Sequence, residues 1–435
     1  MRIFIDCTHT AENTYKNTGI HRVVRELIAE LVNLSSSHPN IEIVPVKFDG
    51  KFMRRVTNLQ IENHKHPTKI NQYSLSLIKT NRNLQVVLTK VRNKFINRVG
   101  FISDLIDWLY LNYYNNAKVA LEFEEVKILP EDIYVIADAN WDLPKTYYKF
   151  LKILKLHQVN IAVICYDIIP IKFPEFCSNK FAEAFTKFYG EYSTLFDRVL
   201  CISKNSANDY NAAREKGILA SNNPNLIVKN FRLGSNYYNH DISLNIDNNF
   251  DANLRKLLDK RYILVVGSLV MHKNIKAVMA AFDLLVNSNC EDTYLLFAGN
   301  RGWDSETDSL IESHRMYGKL IHILGSVTDS QLEVLYKNCY CLVQASFYEG
   351  FGLPVVEALQ HCKPVIASTG GSLPEVGGDF CIYFDPTQPT ELYQALKKLL
   401  DSDIDYNHLV ERIKNEYKPF SWQECAEEFL YHLCN

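Results

Sequence analysis

No run of about 18 consecutive apolar residues occurs anywhere in these 435 residues, so the sequence offers no membrane-spanning helix. No CxxC pair occurs among the eleven cysteines, the closest being Cys339 and Cys341. An odd count without such pairs reads as reduced thiols of a cytoplasmic protein, not as a disulfide framework. Short-period repeats and low-complexity tracts are absent. Net charge is small, −3 from 47 basic and 50 acidic residues, so no nucleic-acid partner is expected of the chain as a whole. The first residues reach an acid at Asp6, too early for a secretory signal. What is present is an ordinary globular balance, 47% hydrophobic and 22% charged, which excludes wholesale disorder. The length exceeds one ordinary core and predicts about two domains.

The charge is unevenly placed. Residues 51–100 carry eleven Lys and Arg against the single acid Glu62, a segment charge of +10; with −3 for the whole chain, the rest carries −13. Such an asymmetry implies a local anionic partner. An aliphatic and aromatic stretch follows at 101–111, with Trp108 and Tyr110. Basic residues ahead of aromatics suit the headgroup layer of an anionic bilayer, and 51–115 is read as a basic insertion able to meet one. The plainer reading is a solvated helical insertion that packs its apolar face on its own domain. His64 and His66 form an HxH pair without a third ligand and read as exposed residues.

Apolar periodicity predicts two successive α/β halves. The first opens with a strand at 2–6. A helix over 20–34 follows, with Ile20, Val23, Val24, Leu27, Ile28 and Leu31 on one stripe. Strand-like runs come at 133–137, 159–165 and 199–202, with helical stretches at 144–156 and 180–196. An Asn/Asp-rich linker is expected at 237–253. The second half alternates strands at 262–266, 294–298, 321–324, 341–343, 364–367 and 381–384 with helices at 275–286, 305–317, 329–338, 354–361 and 389–400. Alternation of buried strands and amphipathic helices predicts parallel sheets covered on both faces. The fold class is therefore α/β, two doubly wound domains facing a cleft. The expected domains are 1–238, 239–405, and a final helical segment at 406–435. Ligands of such sheets sit at the carboxyl ends of strands.

The most informative stretch is EGFGLPVVEA at 349–358. A strand ends shortly before it, and a loop with two glycines leads to Pro354, which suits the first helical position because no N–H is needed there. The N–H groups of Gly350, Phe351, Gly352 and Leu353 then point out of a helix N-terminus, an anion site fit for a diphosphate. Glu349 precedes this site and Glu357 is expected in the first helical turn. Carboxylates repel phosphate but accept hydrogen bonds from hydroxyls. A ligand with hydroxyls on both sides of a diphosphate is a nucleotide sugar. The plain alternative is a glycine turn with a helix-favouring acid behind it.

Glu349 and Glu357, with seven residues between them, resemble the paired-glutamate motif of the family 4 (group 1) retaining glycosyltransferases, which have the GT-B fold of two Rossmann-like domains with a C-terminal helix crossing back to the first domain. The likeness extends to GSLVMHKN at 267–274, FAGNRGW at 297–303, LGSVTD at 324–329, STGGSLPEVGG at 368–378, FSW at 420–422, TGIHRVVREL at 18–27 and YDIIP at 166–170. It therefore covers both halves in order. The resemblance implies an N-terminal acceptor-binding domain, a C-terminal nucleotide-sugar domain and the crossover helix. It implies catalytic roles for Glu349, Lys273 and Asp167, and donor binding by Glu357, Gly350, Phe351, Gly352, Leu353, Gly19, Ser268, Asn274 and Val327. Tyr166, His21 and Arg22 would bind the acceptor. Many members have arginine where this chain has Ser268 and His272, which leaves Lys273 as the cation of that loop. Many have histidine where Tyr166 stands.

The implied reaction moves a hexose, mannose as the first choice, from a nucleotide-diphosphate sugar to a glycan or lipid-linked glycan of a surface polysaccharide or lipopolysaccharide. No cofactor and no metal is implied. Asp401 and Asp403, spaced as D-x-D, read as a solvated helix cap. Retention would proceed by front-face attack, with a covalent Glu349 intermediate as the other route. Two further readings remain open: a nucleotide-sugar-binding or scaffold protein without turnover, and an inverting enzyme or epimerase of the same fold. The expected place is the cytoplasm, with a peripheral position on the inner face of the cytoplasmic membrane through the basic segment.

Overall fold

The computed structural model describes residues 1–14, 19–50, 52–59, 126–219, 223–235, 252–288, 292–302 and 305–435. The basic insertion and the linker expected from the sequence therefore lie outside the described residues, apart from 52–59 and 252–253. The chain divides into two compact units, 1–163 with 195–197, and 164–194 with 198–435.

The first unit is built from β1 (Arg2–Asp6), α1 (Thr8–Glu12), α2 (Gly19–Ser37), β2 (Glu42–Phe48), β3 (Met53–Arg55), β4 (Ile133–Ile136), α3 (Lys145–Leu156) and most of β5 (Asn160–Cys165). Strand order is β3-β2-β1-β4-β5. All neighbours are parallel except the short β3, which runs antiparallel on β2. Ile3, Phe4 and Ile5 are buried in succession, as a strand covered on both faces requires. α2 buries Val23, Val24, Leu27, Ile28 and Leu31, the stripe its spacing predicts. Strands β2 and β3 were not expected from the sequence, and β3 gives part of the basic segment a structural job. Arg54 pairs with Asp49 at 2.7 Å and Arg55 with Glu42 at 2.7 Å.

The C-terminal end of β1 is tied to β4 by one buried carboxylate. Asp6 accepts hydrogen bonds from the Thr8 N–H (3.0 Å), the Tyr134 and Tyr147 hydroxyls (2.5 and 2.6 Å) and the Asn140 amide (2.8 Å). Burial pushes this carboxyl up, and the donated hydrogen bonds oppose the shift.

The second unit contains α4 (Ile169–Lys172), α5 (Asn179–Tyr192), β6 (Arg198–Cys201), α6 (Lys204–Glu215), β7 (Ile227–Asn230) and α7 (Ala252–Leu258). It continues with β8 (Arg261–Val266), α8 (Ile275–Asn287), β9 (Thr293–Ala298), α9 (Ser305–Glu312), β10 (Ile321–Gly325), α10 (Asp329–Asn338), β11 (Cys341–Gln344) and α11 (Leu353–Gln360). It ends with β12 (Val365–Ser368), α12 (Leu373–Gly377), β13 (Cys381–Phe384), α13 (Pro389–Asp401), α14 (Asp403–Glu416) and α15 (Trp422–Cys434). β8 to β13 make a six-stranded parallel sheet of order β10-β9-β8-β11-β12-β13. Alternate residues of β8 feed two cores. Ile263 and Val265 pack with Val278, Phe282, Leu392 and Leu396 on one face. Tyr262 and Leu264 pack with Leu335, Tyr336, Val355 and Leu359 on the other.

Strand order reverses between β8 and β11. The loops that follow these two strands therefore flank the crevice where doubly wound sheets take ligands. At the D-x-D stretch the cap is Ser402, which accepts the Asp405 N–H at 3.2 Å; Asp401 ends α13, and Asp403 and Asp405 lie in the first turn of α14. The closing helix α15 rests on the β6–β7 pair. Phe429 meets Phe231 edge-on at 5.2 Å, and Glu428 accepts the Arg232 N–H at 2.9 Å. Gly234 is needed here, because a Cβ would stand 2.5 Å from the Trp422 nitrogen.

Candidate active site

β11 delivers Gln344 at its carboxyl end, and the 345–352 loop turns back into α11. Gly352 closes that loop at φ +106°, a left-handed conformation that glycine adopts without strain. Helix α11 starts at Leu353 and Pro354 takes its second position, one later than the sequence suggests. Pro354 carries no N–H and the Val355 N–H is taken by the Gly352 carbonyl at 3.0 Å, so the donors that this partly positive end of α11 can offer come from 350–353.

Glu349 is held at the mouth of this loop. Its Oε1 accepts from Lys273 Nζ at 2.5 Å, Gln344 Nε2 at 2.7 Å and Ser346 Oγ at 2.5 Å. The carboxylate is 12% exposed and the lysine side chain 19%, so solvent screens the pair only in part. Burial alone would push the Glu349 carboxyl up. Lys273 foremost, then His272 and the hydrogen bonds, together outweigh burial and hold it below the usual carboxylate value. Lys273 reaches the site because the 267–274 loop folds under it. Gly267 takes φ +122°, and a Cβ there would stand 3.5 Å from the lysine Cε. His272, next in that loop, is pushed down to about 4, first by burial and then by Lys273 beside it. It is thus neutral at ordinary pH and adds no cation.

Gly350 brings a second sequence-predicted patch to the same place. A Cβ on Gly350 would lie 2.5 Å from the Tyr166 carbonyl oxygen and 3.2 Å from Asp167 Oδ2. Asp167 accepts the Ile169 N–H at 2.9 Å. Its carboxyl is raised to about 6, chiefly by burial, with Glu349 adding to the rise and Lys273 opposing it. Glu349, Lys273, Asp167, Tyr166 and Gly350 therefore form one cluster, although they come from positions 166 to 350 of the sequence.

Glu357 stands apart from this cluster. It lies in the second turn of α11, not the first, and is 2% exposed. Its Oε2 accepts from the Tyr336 hydroxyl at 2.7 Å. Asn274 is also buried; it takes a left-handed φ of +54° and donates its amide to the Pro386 carbonyl at 2.8 Å. Ser268 is exposed, and Val327 is half-buried just before α10. Phe351 is buried inside the loop. Gly19, His21 and Arg22 belong to the first unit. Gly19 opens α2, His21 Nδ1 lies 3.0 Å from Thr10 Oγ, and Arg22 is buried.

Several residues that matter to the site were invisible in the sequence. The Gly350 carbonyl accepts from the Ser203 and Ser206 hydroxyls, at 2.7 and 3.1 Å. The Glu349 carbonyl accepts the Ser372 N–H at 3.1 Å, and Ser372 Oγ lies 2.7 Å from the Phe351 carbonyl. Gln344 and Ser346 were reachable in principle, since a polar pair at the end of an otherwise apolar buried strand is a signal. Ser203 and Ser206 gave none beyond an ordinary helix cap.

Residues 247–416 match the family model described as glycosyl transferases group 1. O-antigen chain mannosyltransferase B of Escherichia coli is 34% identical over 170 residues, which is 39% of this chain and 44% of that protein. The serotype-specific mannosyltransferase WbdA of Escherichia coli is 26% identical over 331 residues, 74% of this chain and 40% of that protein. The chain thus spans about two fifths of the length of these curated relatives. Among solved structures, sucrose-phosphate synthase from Thermosynechococcus elongatus superposes with a TM-score of 0.60 at 16% identity, covering 100% of this chain and 99% of that one. Anabaena HepE, solved in complex with UDP and glucose, gives 0.57 at 13% identity, with coverage of 100% and 99%. At such identities the likeness shows the fold, the GT-B architecture expected from the sequence. Lys273, Glu349 and Glu357 all fall within the segment 247–416 that matches the group 1 glycosyl transferases, and the whole-chain superpositions add the fold.

Proposed function

We propose that this protein transfers a hexose, mannose in the first instance, from a nucleotide-diphosphate sugar to a glycan acceptor in the assembly of a surface polysaccharide, with retention of anomeric configuration. The observation that carries the reading is the Lys273–Glu349 pair, set at the head of α11 beside the switch point of the second sheet. A diphosphate lodged at that helix end meets N–H donors and a lysine. Its sugar meets Glu349, and its ribose meets Glu357. The names of the relatives support mannose and O-antigen-type chains.

The chemistry follows from charge. As the bond between the anomeric carbon and the phosphate oxygen breaks, negative charge grows on the diphosphate, and Lys273 and the helix end stabilise it. The acceptor oxygen forms its bond on the same face, and its proton passes to the departing phosphate oxygen. The sugar keeps its configuration and no protein nucleophile is consumed. Glu349, anchored through Oε1, serves as a hydroxyl acceptor in this scheme, and Asp167 and Tyr166 orient the attacking hydroxyl.

A thermal-shift panel of nucleotide sugars, followed by a transfer assay with NMR of the product's anomeric centre, tests the proposal. A ligand of the native state raises apparent stability by mass action. A shift with a mannosyl donor and an α-retained product are expected. Binding without turnover by any donor would instead favour the reading as a nucleotide-sugar-binding protein, and an inverted product would refute retention.

A further inference from the structure

Tyr348 directly precedes Glu349, and its side chain meets α4 and α6 rather than the glutamate's partners. Its hydroxyl has three partners on two helices. It accepts from Lys172 Nζ of α4 at 2.7 Å and from Asn205 Nδ2 of α6 at 2.9 Å, and it donates to Asp209 Oδ2 of α6 at 2.7 Å. Lys172 and Asp209 are themselves paired at 2.6 Å, so the hydroxyl completes a closed polar triangle. The ring is fixed as well. Phe173 lies 5.1 Å from it, and Lys172 Nζ stands 4.3 Å from its centroid. A second tie reinforces this one: the Glu375 carboxylate accepts the N–H groups of Lys204 and Asn205 at 2.8 and 3.0 Å, pinning the start of α6 to α12.

This is far more anchoring than a packing tyrosine needs. A hydroxyl bonded to both members of an ion pair is held by charge-assisted bonds, which are roughly twice as strong as neutral ones. Rotation of the loop about Tyr348 would break all three at once. The residue on its C-terminal side is the carboxylate whose position relative to Lys273 sets the charge of the site. We propose that Tyr348 is a positioning residue: through Lys172, Asn205 and Asp209 it fixes the 346–350 backbone so that Glu349 stays in register with Lys273. The proposal rests on the reading of Glu349 as the sugar-side carboxylate for its effect on turnover, but not for its effect on Glu349 itself.

The test uses Tyr348→Phe, which removes only the hydroxyl, and Asp209→Asn, which leaves the tyrosine in place. The groups facing Glu349 are Lys273, His272 and Asp167, and neither substitution replaces one; loss of the Asp209 charge, which helps raise Asp167, acts against the expected rise of Glu349. Side-chain carboxyl 13C titration of the full chain, with the Glu349 signal assigned by its loss in Glu349→Gln, reads the register directly. In both variants the Glu349 midpoint is expected to rise toward the ordinary carboxylate value, while the thermal midpoint stays close to the parent's. Turnover is expected to fall by about tenfold or more with donor KM within about twofold, and the double variant to lose little beyond either single one. A Glu349 titration identical to the parent's in both variants overturns the proposal, whether or not any donor is turned over. A parent with no turnover would sink the proposed function alone, since the titration still decides the role of Tyr348. Should Tyr348→Phe fail to fold, Asp209→Asn gives the same reading.

Discussion

Lys273 Nζ lies 2.5 Å from Glu349 Oε1, so the cation and the anion assigned to two ends of one substrate are joined to each other. With the same Oε1 also bound to Gln344 and Ser346, the glutamate is oriented from one side. Under the proposed function an incoming diphosphate would compete for a lysine already engaged, and donor binding would reorganise the pair.

Glu349→Gln separates those roles. The amide keeps the size of the side chain but removes the charge that ties Lys273 and repels phosphate. Transfer is expected to fall at least about 100-fold, while the nucleoside diphosphate binds as well as before or better. Calorimetric titration beside the transfer assay checks both. Weaker nucleotide binding in the variant would show that the lysine does not face the phosphates.

Lys273→Met leaves the buried carboxylate without its partner, at a cost of about 3–5 kcal/mol. The pH dependence has a definite sign. In the parent, Glu349 is held below its ordinary value, so it contributes stability above about pH 4.5 that is lost as the pH falls through the depressed folded value. Without Lys273 the effect of burial remains, the carboxyl rises, and the contribution reverses. Urea midpoints at pH 4 and pH 7.5 should show the gap between parent and variant widening at the higher pH. A gap independent of pH would contradict the pairing.

Asp167 behaves in the opposite sense. Its folded-state value of about 6 exceeds the ordinary 3.8, so its favourable contribution is present below about pH 4 and is lost as the pH rises through 6. Asp167→Asn should gain stability relative to the parent between pH 4 and pH 7, on the order of 3 kcal/mol. The ionised group is the one able to accept the acceptor's hydroxyl hydrogen, so kcat/KM is expected to rise through pH 6 in the parent and to lose that limb in the variant.

Much of this site is legible in the sequence because its signals are local. The glycines at 350 and 352, Pro354 and the two acids lie within ten residues, and each has a backbone or charge reason to be there. The alternation of strand and helix marks β8 and β11, while the reversal of strand order between them is visible only in the folded sheet. The supporting shell is not local. Ser203 and Ser206 reach Gly350 from about 145 positions earlier, and nothing in a serine near a helix start announces such a partner. Glu357 shows the limit of counting: the helix begins at Leu353, which moves the acid to the second turn and onto the Tyr336 hydroxyl. β2 and β3 were missed because Pro45 interrupts one run and Arg54 and Arg55 fill the other, where ion pairs compensate for the charge.

Gly350→Ala probes the closest approach in the cluster. Its Cβ would stand 2.5 Å from the Tyr166 carbonyl oxygen, a backbone atom that cannot step aside. The variant is expected to lose about 2 kcal/mol or more of stability and most of its transfer activity. Differential scanning calorimetry measures the first. A variant as stable as the parent would show that the 166–167 segment and the loop are not in contact in solution.

The most direct measurement is a crystal structure of the protein with the nucleotide sugar that gives the largest thermal shift. The expected result places the diphosphate within hydrogen-bonding distance of N–H groups at 350–353 and of Lys273, with the sugar hydroxyls on Glu349 and the ribose hydroxyls on Glu357. A diphosphate seated away from the head of α11, with the Lys273–Glu349 pair undisturbed, would contradict the account.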